Sequence, residues 1–396
     1  AGRPGTGVTG EPLAVTLCCS GSLSRDSRAS HSDDPTRDLS AHPFLCRFPR
    51  LLRSVPVLAL GSGITPLGVM RVLKRSGISA YVYGSAPAIE QHSRWYRPVP
   101  LRSAIGGTDL SELLSSVTLE TAMLIPCSDF WAQQVADLRP ELRERFPVCT
   151  STGDAIGQLV DKARFGQLLQ KAGIPHPLTR MLESPADLEH VPDEVLDGAF
   201  LKPHDSQRFF ARFGVKAFQI SSRTDGMARM REIQDAGLQV LLQQYIPGPG
   251  SLHYFVDGFV DRGGTVRAVF ARRRLRMHPQ DFGNSSFMVS IAEDEARQAI
   301  DSIRTLLGVL GYRGMFSAEF KRDPRDGAFK LIEVNARAWW YVEFAARCGV
   351  DVCTMAYRDA LGLPVSDVAS YRVGERLVFP YYDYFACRQA HRAGTL

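Results

Sequence analysis

The sequence predicts an α/β fold that begins with an N-terminal doubly wound domain at residues 53–150, and two observations carry this prediction. First, an apolar run at 55–60 leads into a glycine-containing turn, a helical pattern and a second strand at 80–83. Second, a further strand at 121–125 ends in Pro126-Cys127-Ser128-Asp129. A strand, a helix and a returning strand are typical of parallel sheets, which present ligand-facing groups at the carboxyl ends of their strands.

The glycine turn of this first unit differs from the dinucleotide-binding motif. Its glycines are Gly61, Gly63 and Gly68, which do not match the spacing G-x-G-x-x-G. The second strand ends in Gly84-Ser85, at the place where an acidic partner for a ribose is expected. An NAD-dependent reductase is therefore the weaker interpretation, and a structural turn is favoured.

The composition is that of a globular protein of more than one domain. The chain has 396 residues, 44% hydrophobic and 22% charged, with a net charge of +5. Basic residues are scattered except at 272–276, so nucleic-acid binding is not expected. The eight cysteines form no C-x-x-C pair, which indicates a reducing, cytoplasmic setting without structural zinc. No apolar run approaches the roughly 20 residues that span a bilayer.

Residues 1–52 differ in composition from the rest of the chain. They are rich in Ser, Arg, Asp, Pro and Gly and show no apolar periodicity. Such a composition cannot bury enough apolar surface to fold. The segment is predicted to be a disordered tail or a wrongly assigned start.

Two lysines lie on separate predicted elements in the middle of the chain. Lys162 belongs to a helix that stops near Gly173, and Lys202 ends the apolar run 200–203. The polar stretch 204–214, which lies between Lys202 and the next strand, is predicted to be a loop. Lysines beside a mobile loop suit the phosphates of a nucleoside triphosphate, although isolated lysines are usually surface residues.

A hairpin near the C-terminus carries an oxygen-rich face. The strands 315–320 and 330–337 alternate side chains between two faces, and the turn 323–327 connects them. Glu333, Asn335 and Arg337 project from one side, and pairing would bring Glu319 close to them. Carboxylate and amide oxygens favour a hard cation such as magnesium, with Arg337 holding an anion beside it. A solvated polar face is the alternative interpretation.

Taken in order, five segments of the chain resemble the ATP-grasp superfamily. They are Asp161-Lys162, Leu201-Lys202-Pro203, Gln243-Gln244-Tyr245-Ile246-Pro247-Gly248, Glu319 and Glu333-Val334-Asn335-Ala336-Arg337. The chain is most similar to the predicted carboxylate-amine ligases, with the D-aspartate ligases as neighbours. The resemblance implies a pre-ATP-grasp, Rossmann-like domain at 53–150, followed by an ATP-grasp catalytic domain of two α+β subdomains at 151–365.

The resemblance also implies roles for individual residues. ATP would be held by Lys162 and Lys202 at its phosphates and by residues that line the adenine pocket, namely Gln243, Gln244, Tyr245 and Ile246. Two Mg²⁺ ions, with Mn²⁺ as the alternative, would be held by Glu319 and Glu333 and by Glu333 and Asn335. Arg337 would contact the transferred phosphate or the substrate carboxylate, and Arg274 or Arg276 would contact an acyl phosphate.

The implied reaction is amide formation by an ATP-dependent ligase. A substrate carboxylate attacks the γ-phosphate, and an amine then displaces phosphate from the acyl phosphate. An ATP-grasp enzyme that activates bicarbonate or another small acid is one alternative, in the manner of carbamoyl phosphate synthase or a carboxylase. A nucleotide-binding regulator without turnover is the other. His204, His253 and His278 could assist proton transfer, but a lone histidine is more often structural.

Residues 366–396 are predicted to form an aromatic C-terminal tail beyond the catalytic domain. The cluster at 379–385 favours packing, with an oligomer contact or a membrane-facing patch as alternatives. The expected partners are a small-molecule carboxylate and an amine or amino acid. The identities of these substrates and the oligomeric state, including a homo-oligomer, are not predictable from the sequence.

Overall fold

The computed structural model describes residues 55–85, 87–105, 107–203, 206–215, 217–279 and 283–392. The predicted N-terminal tail, 1–52, and His204 lie outside these residues. Within them, no helix is both long enough and apolar enough to cross a membrane. The predicted α/β fold class is confirmed, and its strands form three sheets.

The first sheet contains three parallel strands in the order β2-β1-β3. The strands are β1 (Val57–Leu60), β2 (Ala80–Tyr83) and β3 (Met123–Pro126), with helix α1 (Ile64–Arg75) after β1 and α2 (Leu110–Ser116) before β3. Side chains alternate along β1, so Val57 packs into one apolar core and Leu58 into another on the opposite face. The sheet is therefore covered on both faces.

Glycine is required where β2 meets the turn after β1. A side chain at Gly84 would collide with the Ser62 hydroxyl and the Gly61 carbonyl oxygen. Gly63 has a φ of 94°, a conformation that residues with a side chain rarely adopt. These glycines bring the ends of β1 and β2 close together.

The second sheet contains four antiparallel strands in the order β4-β7-β5-β6. Four helices lead into it from the first sheet: α3 (Asp129–Ala136), α4 (Pro140–Arg145), α5 (Gly153–Val160) and α6 (Lys162–Lys171). The sheet and its helices are β4 (Thr179–Leu182), α7 (Asp193–Leu196), β5 (Phe200–Pro203), α8 (Ser206–Phe213), β6 (Phe218–Gln219), α9 (Arg223–Asp235) and β7 (Val240–Gln243).

Helix α8 occupies most of the stretch that was predicted to be a loop. Phe209 is buried and its ring packs 4.8 Å from that of Phe213, one turn later. Apolar side chains four residues apart lie on the same face of a helix. The loop prediction for 204–214 is wrong over residues 206–213, because this apolar pair was overlooked among polar neighbours.

The third sheet contains six strands in the order β12-β11-β8-β9-β10-β13, all antiparallel. The strands are β8 (His253–Val260), β9 (Val266–His278), β10 (Asn284–Ser290), β11 (Gly314–Arg322), β12 (Phe329–Asn335) and β13 (Arg376–Val378), and α10 (Arg297–Val309) packs in its core. The predicted hairpin of β11 and β12 is confirmed, and its turn is closed by a 2.8 Å hydrogen bond from Gly327 N to Asp323 O.

The C-terminal segment is more closely integrated than a tail would be. Strand β13 pairs with β10, and α13 (Pro380–Arg392) packs against β9 and β10. The helices α11 (Val342–Cys348) and α12 (Val352–Ala360) share an apolar core with the first sheet. Arg75 also donates to Glu343 at 2.9 Å. One apolar core therefore contains residues from both sides of positions 150 and 365, and the predicted domain boundaries stay a prediction.

Candidate functional site

Two carboxylates face each other across the hairpin. Glu319 on β11 and Glu333 on β12 are directly opposite residues in the antiparallel register, and a bulge follows Glu319. Directly opposite side chains in such a pair lie about 4.5–5.5 Å apart at Cβ. Asn335 extends the same face and donates from Nδ2 to Glu333 Oε1 at 3.3 Å.

Glu319 is surrounded by donors that favour its ionised form. Its Oε1 lies 2.6 Å from His253 Nδ1 and 3.2 Å from Arg274 Nη2. Burial acts to raise the pKa of Glu319, but Arg274 and His253 outweigh it and hold the pKa well below its usual range. Because the carboxylate is ionised, His253 carries its proton on Nδ1 and donates it.

Glu333 has the opposite environment. Burial raises the pKa of Glu333, the charges of Glu319 and Asp129 raise it further, and Lys202 acts against them. A divalent cation between the two carboxylates would offset this repulsion, and hard cations prefer such oxygen ligands. The donor set, which contains two acidic residues and Asn335, therefore fits magnesium. In the described part of the chain, no three or more His, Cys, Asp or Glu residues are grouped so that they could hold a metal ion by themselves.

The two predicted lysines approach this carboxylate pair from the second sheet. Lys162 begins α6 and donates to Pro203 O at 2.6 Å, and Lys202 at the end of β5 donates to Gln243 Oε1. Burial lowers the pKa of both lysines; Lys202 lowers that of Lys162 further, while Glu333 acts to raise both. The two ammonium groups and the carboxylate pair therefore belong to one charged cluster.

The predicted adenine-pocket segment leads from β7 towards the hairpin. Gln244 pairs with Leu178 through backbone and side chain, at 2.8 and 3.4 Å, and Tyr245 packs its ring 5.6 Å from that of Phe200. Lys321 Nζ on β11 donates to Ile246 O at 2.6 Å. The segment is therefore fixed to the same strand that carries Glu319.

Arg337 joins the hairpin to the first sheet. Its Nε and Nη2 donate to the two carboxylate oxygens of Asp129, at 2.8 and 3.2 Å, and Nη2 also donates to Asn335 Oδ1 at 2.7 Å. Asp129 is the first residue of α3, directly after β3. The guanidinium is thus oriented by a fork of two charged hydrogen bonds.

The two predicted β9 arginines have different surroundings. Arg274 contacts Glu319 and donates from Nε to Ser285 Oγ at 2.8 Å. Arg276 instead donates from Nε and Nη2 to Asp383 on α13, at 2.9 and 2.6 Å. Arg274 therefore lies in the carboxylate cluster, whereas Arg276 is engaged with the C-terminal helix.

Comparison with known proteins identifies relatives of this arrangement. No protein-family model matches the chain. The chain is 26% identical over 245 residues to the D-aspartate ligase of Enterococcus faecium, in an alignment that covers 60% of this chain and 58% of that ligase. The chain thus spans a little over half the length of this curated relative.

Solved structures extend the comparison to three dimensions. The L-amino acid ligase from Bacillus licheniformis superposes with a TM-score of 0.57 at 16% identity, covering 78% of this chain and 75% of that one. A second structure is the biotin carboxylase domain of the Hydrogenobacter thermophilus 2-oxoglutarate carboxylase, solved with MgADP and bicarbonate. It superposes with a TM-score of 0.59 at 18% identity, covering 81% of this chain and 73% of that one. Both are ATP-grasp structures. The chain has the ATP-grasp fold.

Three contacts at this site were missed in the sequence. They are the pairs Asp129 with Arg337, Lys321 with Ile246 and His253 with Glu319, and each joins residues that are far apart in the chain. Lys321 could have been found, because it lies two positions after Glu319 on a strand and so recurs on the same face. Asp129 had a weaker signal, its place at the carboxyl end of a parallel strand.

The glycine turn after β1 is already occupied by a carboxylate. Gly63 N, at the N-terminus of α1, donates to Glu90 Oε2 at 2.8 Å, and Glu90 is buried. A dinucleotide phosphate would normally use this positive helix end. Glu90 therefore disfavours the NAD-dependent alternative on electrostatic grounds.

Proposed function

We propose that the protein is an ATP-dependent carboxylate-amine ligase that forms an amide through an acyl phosphate and releases ADP and phosphate. The observation that carries this proposal is the Glu319 and Glu333 pair, with Arg274 on one side and Lys202 on the other. Similarity to a D-aspartate ligase and to an L-amino acid ligase structure supports the reaction class.

In the proposed site, ATP lies between the second and third sheets. Lys162 and Lys202 bind its phosphates, and their mutual repulsion, which lowers the pKa of Lys162, is relieved when the polyanion arrives. The segment Gln243 to Ile246 lines the adenine pocket, and Lys321 holds the Ile246 carbonyl in place.

The proposed metal ligands are Glu319 and Glu333 for one Mg²⁺ and Glu333 with Asn335 for a second, with Mn²⁺ as the alternative ion. When bound, the metal supplies positive charge against the oxygens of the transferred phosphate. His253 and Arg274 keep Glu319 ionised and oriented for this role. His253 acts as a positioning residue, since it needs to contact only Glu319.

The first chemical step forms a bond between a substrate carboxylate oxygen and the γ-phosphorus, while the bond from that phosphorus to the β-phosphate bridging oxygen breaks and ADP leaves. Arg337, held by Asp129, binds the carboxylate or the transferred phosphate, and Arg274 stabilises the acyl phosphate. In the second step the amine nitrogen attacks the acyl carbon, phosphate leaves, and the nitrogen loses a proton. Both steps need charge stabilisation and orientation but no protein nucleophile.

We also expect the enzyme to work in the cytoplasm. Cys127, Cys149, Cys353 and Cys387 are free thiols, which fits a reducing compartment. The proposed partners are small molecules.

The experiment that tests the proposal is ADP release with Mg-ATP against amino acids and small carboxylates, singly and in pairs, with mass spectrometry of the products. ADP together with a new amide mass supports the ligase. ADP with bicarbonate alone would favour the acid-activating alternative. Binding of ATP without ADP release for any compound would favour a nucleotide-binding regulator and contradict the proposal.

A further inference from the structure

A cavity of about 320 Å³ separates the glycine turn after β1 from the C-terminal helix α13. This volume is at the lower end of the roughly 300–1,000 Å³ typical of small-molecule pockets. One wall is formed by the turn at Ser62 and Gly63, and the other by Trp340 and Tyr382. A side chain added at Gly63 would meet no atom within 4 Å, so the glycine keeps this wall open.

The chemistry of the cavity is apolar and aromatic. Among the described residues that line it, none has a charged side chain, and the rings of Trp340, Phe379 and Tyr382 stand next to one another. The polar side-chain atoms of its described lining include the hydroxyls of Ser62, Ser85, Tyr381 and Tyr382, and the hydroxyls of Ser62 and Ser85 lie 3.2 Å apart. The nearby end of α1 is satisfied by Glu90. The cavity therefore suits an uncharged ring, and its described lining has no cationic side chain to bind a phosphate or carboxylate.

This cavity lies close to the proposed reaction site. Trp340 follows Arg337 by three residues, and Ala338 N donates to Pro126 O at 3.2 Å, which fixes that segment to the end of β3. Strand β1, which ends at the glycine turn, is hydrogen-bonded to β3, with Leu60 opposite Pro126. The aromatic cavity and Arg337 thus share one edge of the first sheet.

A polar cluster on α13 supports the outer wall. Asp383 on α13 is buried and accepts from Arg276 at 2.9 and 2.6 Å and from Ser286 Oγ at 3.0 Å. Its neighbour Tyr382 faces the cavity. Arg276 and Asp383 therefore fix the position of the aromatic wall.

We propose that this cavity binds the uncharged, ring-bearing side chain of one of the two substrates, and that α13 sets the size of side chain accepted. The proposal rests on the proposed ligase function and adds to it a substrate class, an amino acid or related compound with an aromatic side chain. In this assignment Arg276 is a positioning residue that acts through Asp383, in place of a contact with the acyl phosphate.

The test compares three variants on a panel of phenylalanine, tyrosine, alanine and aspartate in both enantiomers, paired with small carboxylates and amines. Ala88→Phe fills the cavity from the wall opposite α13, and Tyr382→Ala enlarges it. Tyr384→Ala is the matched control, because Tyr384 is on the same helix, is 61% exposed and does not line the cavity. The readouts are kcat/KM for ADP release with each compound and the KM for ATP.

We expect Ala88→Phe to lower kcat/KM for the ring-bearing substrate by roughly 10-fold or more relative to alanine, since the loss of apolar contacts in a pocket typically changes selectivity by 10- to 200-fold. Tyr382→Ala should shift the preference towards larger rings. The KM for ATP should stay unchanged in all three variants. Tyr384→Ala should keep the kcat/KM values of the unaltered protein. A preference for aspartate or alanine in the unaltered protein, or equal losses for all substrates in Ala88→Phe, would overturn the proposal.

A binding measurement separates this proposal from the ligase function. Phenylalanine and tyrosine are titrated calorimetrically into the protein with Mg²⁺ and a non-hydrolysable ATP analogue. If no pair of compounds gives ADP, the ligase proposal fails, but ring-selective binding that Ala88→Phe weakens still supports the cavity. The cavity proposal is overturned if neither phenylalanine nor tyrosine binds, or if Ala88→Phe leaves their binding unchanged. This holds whether or not any pair of compounds gives ADP.

Discussion

Glu319 and Glu333 stand directly opposite each other on β11 and β12, yet their environments shift their pKa values in opposite directions. Arg274 and His253 compensate the charge of Glu319, whereas Glu333 faces that charge in a buried position. One carboxylate is thus ionised by the protein itself, and the other is best ionised when a cation binds. In the proposed metal site, metal affinity and protonation of Glu333 are therefore expected to be linked.

Replacing Glu333 with Gln should abolish metal-dependent catalysis while leaving the fold intact. We expect ADP release to fall by roughly 100-fold or more, since metal charge stabilisation contributes several kcal/mol. The melting temperature without metal should not fall, because the substitution removes a repulsive charge and keeps an oxygen acceptor for Asn335. Glu295→Gln, at a partly exposed glutamate outside the site, is the control. Normal turnover in Glu333→Gln would refute the metal assignment.

Glu333→Gln should also change how the free energy of unfolding depends on pH. Because the pKa of Glu333 is raised in the native state, the folded protein binds more protons than the unfolded chain above the ordinary value of 4.5. The free energy of unfolding contributed by Glu333 therefore falls as pH rises through its native pKa. The pKa of Glu319 is lowered, so its contribution is present above 4.5 and is lost only at lower pH. Urea unfolding without metal should show Glu333→Gln gaining stability relative to the unaltered protein as pH rises from 4.5 to 8; a constant difference would contradict this.

His253 should matter for metal binding and not for the fold alone. His253→Ala removes the 2.6 Å hydrogen bond to Glu319, and loss of such an outer contact typically weakens metal affinity by 10- to 100-fold. The Mg²⁺ concentration for half-maximal ADP release should rise by about this factor. His190→Ala, at an exposed histidine of the second sheet region, should change nothing. An unchanged Mg²⁺ dependence in His253→Ala would show that Glu319 does not need this partner.

Asp129→Asn should alter both the rate and its pH dependence. Arg337 would lose a charged acceptor, and hydrogen bonds to charged groups contribute about 1.5–3 kcal/mol, so kcat should fall roughly 10- to 100-fold. Removing the Asp129 charge should also lower the pKa of Glu333, moving the acidic limb of the pH-rate profile to lower pH. A profile that only decreases in height, without that shift, would indicate that Asp129 acts on Arg337 alone.

Arg272 and Asp257 form a buried ion pair in the third sheet that should dominate local stability. Arg272 donates from Nε to Asp257 Oδ2 at 2.7 Å and from Nη2 to Asp257 Oδ1 at 3.3 Å. Both side chains are buried, and the Arg272 guanidinium lies over the ring of Phe255. Removing one charge should cost about 3–5 kcal/mol, because the other is left buried without a partner. The double replacement Asp257→Leu with Arg272→Met should be less damaging than either single change. Urea unfolding of the three variants measures this, and additive losses would contradict it.

The site face of the hairpin could be predicted from the sequence because it depends on local alternation. Glu333 and Asn335 are two residues apart on a strand, and the short turn at 323–327 fixes which strand they pair with. The position of Glu319 opposite Glu333 follows from the pairing of these two strands. The resemblance to ATP-grasp proteins then implied that Lys162 and Lys202 belong to the same site.

Contacts between distant segments could not be predicted in this way. Arg276 and Asp383 are 107 residues apart, and nothing in the run of arginines at 272–276 distinguishes the one that pairs with a helix from the one that contacts Glu319. That difference arises from the register of β9 against β8 and β10, including its bulges. Likewise, strand β13 has only three residues, too few for a periodic pattern.

The shared core of the first sheet and the helices α11 and α12 has a consequence for synthesis of the protein. Tyr357 OH donates to Val55 O at 2.9 Å across 302 residues of chain. At roughly 5–20 residues per second, the ribosome needs about 15 to 60 s to reach the second partner after making the first. During that interval the apolar core that contains Val57, Ala59 and the buried side chains of α1 lacks the residues that α11 and α12 add to it. This core is therefore completed only after α12 has been translated.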